Sequence, residues 1–270
     1  MTLRVLLSHW DFQPTVVAGC LLLAAGYLAW VRFKPQRRAV VFYTGLGVLA
    51  IALLSPIDGL GDTYLFSAHM IQHLLLLLIC PPLMIAGLPV DATRRLLRKL
   101  SFNRLERWLA QPATALLIVV GVVWAWHFPA FYNFALAHES VHAFQHLTFL
   151  VSATIFWWPV FTPLEERRMA MPTVLLYIFL AGLADAILGI ILTFVPAGLY
   201  PMYLHPEDPW NILAILRNNW GITPQVDQQL GGLVMWVPGS LIYLSVILGC
   251  ILRWYNGPET ENLVSTSNLS

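Results

Sequence analysis

Residues 65–86 read Leu-Phe-Ser-Ala-His-Met-Ile-Gln-His-Leu-Leu-Leu-Leu-Leu-Ile-Cys-Pro-Pro-Leu-Met-Ile-Ala, a run without one Asp, Glu, Lys or Arg. About 20 mostly apolar residues are enough for an α-helix to cross the hydrocarbon core of a bilayer. The run is therefore read as a membrane span, and two histidines, His69 and His73, lie in its first half. Six further stretches qualify: residues 14–31, 39–55, 113–131, 142–161, 173–199 and 230–252. The expected fold is all-α, a polytopic bundle of seven transmembrane helices.

Composition agrees. The chain has 270 residues, of which 58% are hydrophobic and 11% charged, against about 25% charged in soluble domains. A net charge of +1 provides no basic surface for nucleic acid, so no nucleic-acid partner is expected and the lipid bilayer is. Cys20, Cys80 and Cys250 stand singly in apolar segments without a CxxC, which excludes a disulfide framework and a thiolate metal clamp. The first apolar run could pass for a signal peptide. Its basic cluster Arg32, Lys34, Arg37 and Arg38 follows the run instead of preceding it, so a retained span is expected.

Charge sets the expected orientation, because cytoplasmic loops retain Lys and Arg. With the N-terminus outside, thirteen of the fifteen basic residues fall on the inner side, and only Arg4 and Arg217 fall outside. The expectation is N-terminus out, C-terminus in, and one membrane domain over residues 1–256. Residues 257–270, rich in Ser, Thr and Asn, read as a disordered cytoplasmic tail. The outer connection over residues 200–229, with Pro201, Pro206, Pro209 and Pro224, reads as an irregular cap.

Overlaid on this topology, all eight histidines fall at or near the outer face. His69 and His73 are four apart and project from one side of their helix, as do His142 and His146. His127 lies near the outer end of the fourth span, His138 lies in the loop before the fifth, and His9 and His205 lie in flexible outer segments. Imidazole in hydrocarbon must be hydrogen-bonded, paired or metal-bound. Imidazoles from separate spans, with Met70, Met202 or Met235 as thioether donors, would suit copper best and zinc next. Two of them on facing helices would suit haem iron. The plainer readings are interhelical hydrogen bonds for the histidines and gap-filling for the methionines.

Four carboxylates carry similar double readings. Asp185, near the middle of the sixth span, is a proton relay, a partner for a histidine, or a neutral acid at a helix contact. Asp58 and Asp62 either cap the start of the third span or hold imidazole N–H groups. Asp227, at the mouth of the seventh span, has the same two readings. Trp124, Trp126, Phe131 and Tyr132 near the outer edge, and Trp157 and Trp158 near the inner edge, read as interfacial anchors. Pro81, Pro82 and Pro238 are expected to break or kink their helices.

Several motifs together resemble one family. They are His69-Met70-x-x-His73 followed by Pro81-Pro82; Trp126-His127-x-Pro129-x-x-Tyr132; His142-x-x-x-His146 followed by Trp157-Trp158-Pro159; and Asp227-Gln228-Gln229-x-Gly231-Gly232. The resemblance is to the seven-span CtaG-type cytochrome c oxidase assembly factors of bacteria. It runs from about residue 55 to the end of the last span, and does not extend to the single-span copper chaperone that shares the name. It implies a non-enzymatic role at the bacterial plasma membrane, where copper is inserted into the oxidase membrane subunit. A soluble extracytoplasmic copper donor would be the upstream partner. By position the family's histidines correspond to His69, His73, His127, His142 and His146, with Met70, Asp58, Asp185 and Asp227 as further candidates. Two other functions fit the same residues. One is a zinc-dependent intramembrane hydrolase with Asp58 or Asp185 as base, and the other is a bis-histidine haem protein.

Overall fold

A computed structural model describes residues 8–31, 37–99 and 103–256, all the elements of which are helical. The expectations for the tail and for Arg4, Arg32 and Lys34 fall outside those residues. The main helices are α1 (Pro14–Val31), α2 (Arg37–Leu54), α3 (Phe66–Ala86), α4 (Val90–Lys99), α5 (Asn103–Leu109), α6 (Pro112–His127), α7 (Pro129–Leu136), α8 (Glu139–Phe161), α9 (Met171–Phe194) and α10 (Pro224–Tyr255). A helical turn at Pro56–Gly59 and a π turn at Leu60–Tyr64 join α2 to α3.

Five segments are long and apolar enough to cross a membrane: α1, Arg37–Tyr64, α3, α9 and α10. A sixth results if α5 and α6, which meet at a 67° bend, count as one span. Helix α8 is 23 residues long but is not among them. Its first fourteen residues include His142, Gln145, His146, Thr148 and Ser152, which lower its hydropathy. The polarity that removes α8 from an apolarity count is the same polarity that makes it interesting.

Side-chain contacts set the helix directions. Helices α9 and α10 are antiparallel, with Asp185 bonded to Tyr243 at one level and Gly189 against Trp236 at another. Close approach depends on the missing side chains: a methyl group at Gly189 would lie 2.9 Å from the Trp236 Cβ. Small residues at such crossings are the usual means of tight packing in lipid. Helix α3 runs parallel to α10, with Phe66 and Met70 against Gly231 and Leu78 facing Gly239. It runs antiparallel to α2, with Gly45 against Met84 and the Gln72 amide donating to the Ala52 carbonyl at 3.0 Å. The core fills with Phe149, Phe156, Trp157, Tyr177 and Ile178, which lie between α3, α6 and α9.

Helix boundaries follow local chemistry. Thr223 accepts from the Val226 amide and Pro224 occupies the first turn, so α10 begins six residues before the expected span. Helix α6 stops at His127 because Pro129 starts a new helix, α7. Pro81 and Pro82, expected to break or kink α3, interrupt its regular α-helical winding without ending it. The interruption is a π-helical stretch, Leu75–Ile79. Pro81 has no N–H for the Leu77 carbonyl one turn back, and that oxygen accepts instead from the indole N–H of Trp157 at 2.8 Å. Trp157 is therefore fully buried and not an interfacial anchor. Tyr132 is likewise buried, held by the Tyr203 hydroxyl at 2.9 Å.

Trp157→Phe keeps most of the apolar volume but leaves the Leu77 carbonyl unpaired. We expect a loss of about 1–2 kcal/mol, read as a lower midpoint of thermal unfolding in detergent. An unchanged midpoint would show that the π stretch closes on its own.

Candidate metal centre

The i, i+4 spacing of His69 and His73 on α3, and of His142 and His146 on α8, lets two parallel helices present two imidazoles each to the same layer. The structure brings the four together. Ring centroids are 4.3 Å apart for His69–His73, 4.2 Å for His142–His146, 5.2 Å for His69–His142 and 5.9 Å for His73–His146. His127, the last residue of α6, adds a fifth ring 5.4 Å from His73. All five are buried.

Their nitrogens are mostly without protein partners. The Nε2 atoms of His69, His73, His127, His142 and His146 are buried and accept or donate no hydrogen bond, and neither does His73 Nδ1. Buried polar groups are otherwise almost always satisfied, so this many orphans in one place make a donor set. One tautomer follows from geometry. His127 Nδ1 lies 2.7 Å from the Val123 carbonyl, which can only accept, so Nδ1 carries the proton and Nε2 presents its lone pair. Ligand atoms of His69, His73 and His146 all lie within 4.8 Å of one another. Bonds of about 2 Å to a single ion would therefore require only small ring movements.

A carboxylate borders the cluster. Asp62, on the π turn Leu60–Tyr64, places one oxygen 3.3 Å from His142 Nδ1 and the other 3.7 Å from His69 Nδ1. Asp62, His69 and His142 form a second group that could hold an ion, again with ligand atoms within 4.8 Å. The π turn sits tightly on α3: a methyl group at Gly61 would lie 2.9 Å from the backbone of His69. From the connection between α9 and α10, the Tyr203 hydroxyl donates to the Gly61 carbonyl at 2.7 Å and lies 3.4 Å from His69 Nδ1. Burial pushes the Tyr203 phenol well above its usual range, so it remains a donor. Tyr200 donates to the His127 carbonyl at 2.8 Å. The connection between α9 and α10 thus closes one end of the cluster. Arg217 fastens it by donating to the carbonyls of Ile222 and Tyr203.

The remaining sequence candidates lie elsewhere. Met70 is one position off the histidine face and packs against Gly231 of α10. Asp58 accepts from Gln72 at 2.5 Å and touches no imidazole. Asp185 accepts from Tyr243 at 2.7 Å, deeper in the bundle among Leu78, Val119 and Ala181. Asp227 accepts from the amides of Phe66 (2.7 Å) and Ser67 (3.1 Å) and from the Ser67 hydroxyl (2.6 Å). It caps α3 from a different helix, where Leu65 offers no capping side chain. His9 stacks on Trp210, His138 binds the Phe134 carbonyl as the residue before α8, and His205 is exposed. Met202 is 41% exposed. Sequence reasoning missed Tyr203 and Gln145. Both amide atoms of Gln145, three residues from His142, are buried without partners.

The geometry suits some groups better than others. The imidazoles that face one another across α3 and α8 have ring centroids 5.2 to 6.0 Å apart. A single ion among imidazoles fits the donor set.

The sequence matches the family of cytochrome c oxidase caa3 assembly factors (Caa3_CtaG) over residues 19–257. The chain belongs to that family. The family is described by its part in the assembly of a caa3-type cytochrome c oxidase. Similar curated proteins are uncharacterized proteins of Mycobacterium bovis and Mycobacterium tuberculosis, each 24% identical over 94% of this chain and 40% of the relative's length. One of Mycobacterium leprae is 24% identical over 91% of this chain and 39% of its own length. The chain therefore spans about two fifths of the length of the curated relatives it matches. No solved structure matches it.

Asp227→Asn keeps the shape of the cap but removes its charge and offers N–H to N–H. We expect a destabilisation of about 1–2 kcal/mol, measured as unfolding in detergent. The imidazole cluster, whose spacing depends on α3 staying helical from Phe66, would otherwise keep its packing.

Proposed function

We propose that this assembly factor holds a copper ion in the histidine cluster and releases it to a membrane subunit of cytochrome c oxidase. The observation that carries the reading is the set of buried, unpartnered imidazole nitrogens on α3, α6 and α8. Copper is the metal chosen because neutral imidazole suits it and because the family builds an oxidase. Neutral ligands also suit a cargo that must leave. Thiolates would hold it more tightly, and the three cysteines are free and apart from the cluster. The chain acts as a chaperone for the ion, not as a catalyst, and receives it from a soluble extracytoplasmic donor.

The bilayer placement belongs to the same proposal. α1, α2, α3, α6, α8, α9 and α10 are seven crossings of the bacterial plasma membrane, with the N-terminus and the histidine layer outside. Support comes from Arg94, Arg95, Arg98, Arg104, Arg107, Arg167 and Arg168, which lie on the connections at the opposite end of the helices from His69 and His142. In that arrangement α8 crosses with its polar side chains turned inward: His142, Gln145, His146 and Ser152 are buried, while Phe144, Leu147 and Val151 are exposed. Its apolarity is therefore concentrated on the face that meets lipid.

Two measurements test this. Detergent-purified wild type should carry about one copper per chain by elemental analysis. His69→Ala with His73→Ala should retain less than about a tenth of that, and cells making that variant should assemble oxidase deficient in copper. Equal, near-zero copper in both proteins would overturn the reading, and a Soret band would replace it with a haem one. For topology, single cysteines are placed in a background lacking Cys20, Cys80 and Cys250. A cysteine at His138 should react with an impermeant maleimide in intact cells, and one at Arg95 only after lysis. The reverse pattern would invert the bundle.

A further inference from the structure

The cluster is not one group of donors but two that overlap. The outer group is Asp62, His69 and His142, and the inner group is His69, His73 and His146. His69 belongs to both. Its Nδ1 is turned toward Asp62 at 3.7 Å and Tyr203 at 3.4 Å, while its Nε2 is buried and unpartnered. The groups also differ in access. The Asp62 side chain is 30% exposed and that of His142 11%, whereas His69 is fully buried and His73 nearly so.

We infer that these are two positions for a single metal cation, an outer entry position at Asp62–His69–His142 and an inner holding position at His69–His73–His146, between which the ion passes on the shared imidazole of His69. The inference rests on the copper-holding reading and adds a direction and an entry residue to it. Two cations one imidazole apart would repel strongly in a low-dielectric interior, and only Asp62 among the ligands has a compensating charge. The cluster therefore takes one ion at a time.

The chemistry of the two donor sets orders the positions. A carboxylate attracts a cation from solvent and raises its arrival rate, but an oxygen donor is a poor match for a soft ion such as Cu(I). Three imidazoles are the better match. An ion arriving at Asp62 thus gains by moving inward; the His69 proton shifts from Nε2 to Nδ1, where Asp62 and the Tyr203 hydroxyl lie to accept it, and Asp62, still adjacent, offsets the ion's charge. One Asp62 oxygen is itself buried without a hydrogen-bond partner and is directed at His69. A carboxylate present only to fasten the π turn would be bonded to backbone amides, as Asp227 is.

The test offers Cu(I), as its complex with a coloured bidentate chelator, to detergent-purified full-length protein. Uptake rate, affinity and stoichiometry are read from the chelator's absorbance. Wild type should take one Cu(I) per chain. Asp62→Asn should still take one, at a rate at least about tenfold slower, and Asp62→Glu should restore the rate. His73→Ala should load as fast as wild type but bind at least about tenfold more weakly. Two ions per wild-type chain, an unslowed Asp62→Asn, or a His73→Ala that loads as slowly as Asp62→Asn would each overturn the two-position passage while leaving copper holding intact. Wild type that takes no copper at all would overturn the copper-holding reading itself. Should Asp62→Asn fail to fold, the loading rate and affinity of His73→Ala decide alone.

Discussion

An imidazole nitrogen buried among hydrocarbon has to be bonded to something, because no water is there to satisfy it. That requirement bears on several helix placements in this bundle. Helix α3 must run parallel to α8 for His69 and His73 to meet His142 and His146. Helix α6 must end at His127 for the fifth ring to reach His73. The connection between α9 and α10 must fold back over the cluster for Tyr200 and Tyr203 to reach His127 and Gly61. Each of these is a backbone decision made around a polar layer. The apolar core below it would tolerate several arrangements, since lipid and leucine compete equally for leucine.

The same accounting explains the irregular parts of α3. Pro81 removes one N–H, the helix loosens into a π stretch one turn earlier, and the stranded Leu77 carbonyl is met by Trp157 from α8. Ring and carbonyl are thus joined one turn below the histidines, so the α3–α8 pairing that builds the cluster is fastened at a second level. At the top, Asp227 from α10 holds the first amides of α3. Between these two clamps the helix that carries His69 and His73 has little freedom to rotate.

How much of this was legible beforehand varies with the kind of signal. The apolar segments were clear, since twenty uncharged residues have few other uses, and residues 14–31 were bounded as the helix is. Boundaries that depend on caps and prolines shifted: Pro129 shortened α6 and Thr223 lengthened α10. The i, i+4 histidine pairs were legible because helix periodicity acts within one segment. Asp62 was visible only as one of two carboxylates in a turn, and Asp58 was weighted above it. Nothing local separates them, because the partners that do, Gln72 for one and His142 for the other, come from other helices. Tyr203 was invisible for a stronger reason. Its role exists only once a connection of some thirty residues has folded across the bundle.

The carboxylates then divide by what they face. Asp58, Asp185 and Asp227 each accept hydrogen bonds from a neutral donor, namely Gln72, Tyr243 and the first turn of α3. Each is thereby committed to structure, because breaking the bond would strand both partners. Asp62 alone faces imidazoles that have a second nitrogen free, so a cation can enter between them without orphaning any group. That difference sets Asp62 apart from the three carboxylates committed to helix contacts. Packing histidines satisfy one another. These leave their lone pairs pointing into a common space, and keep one charge at its edge.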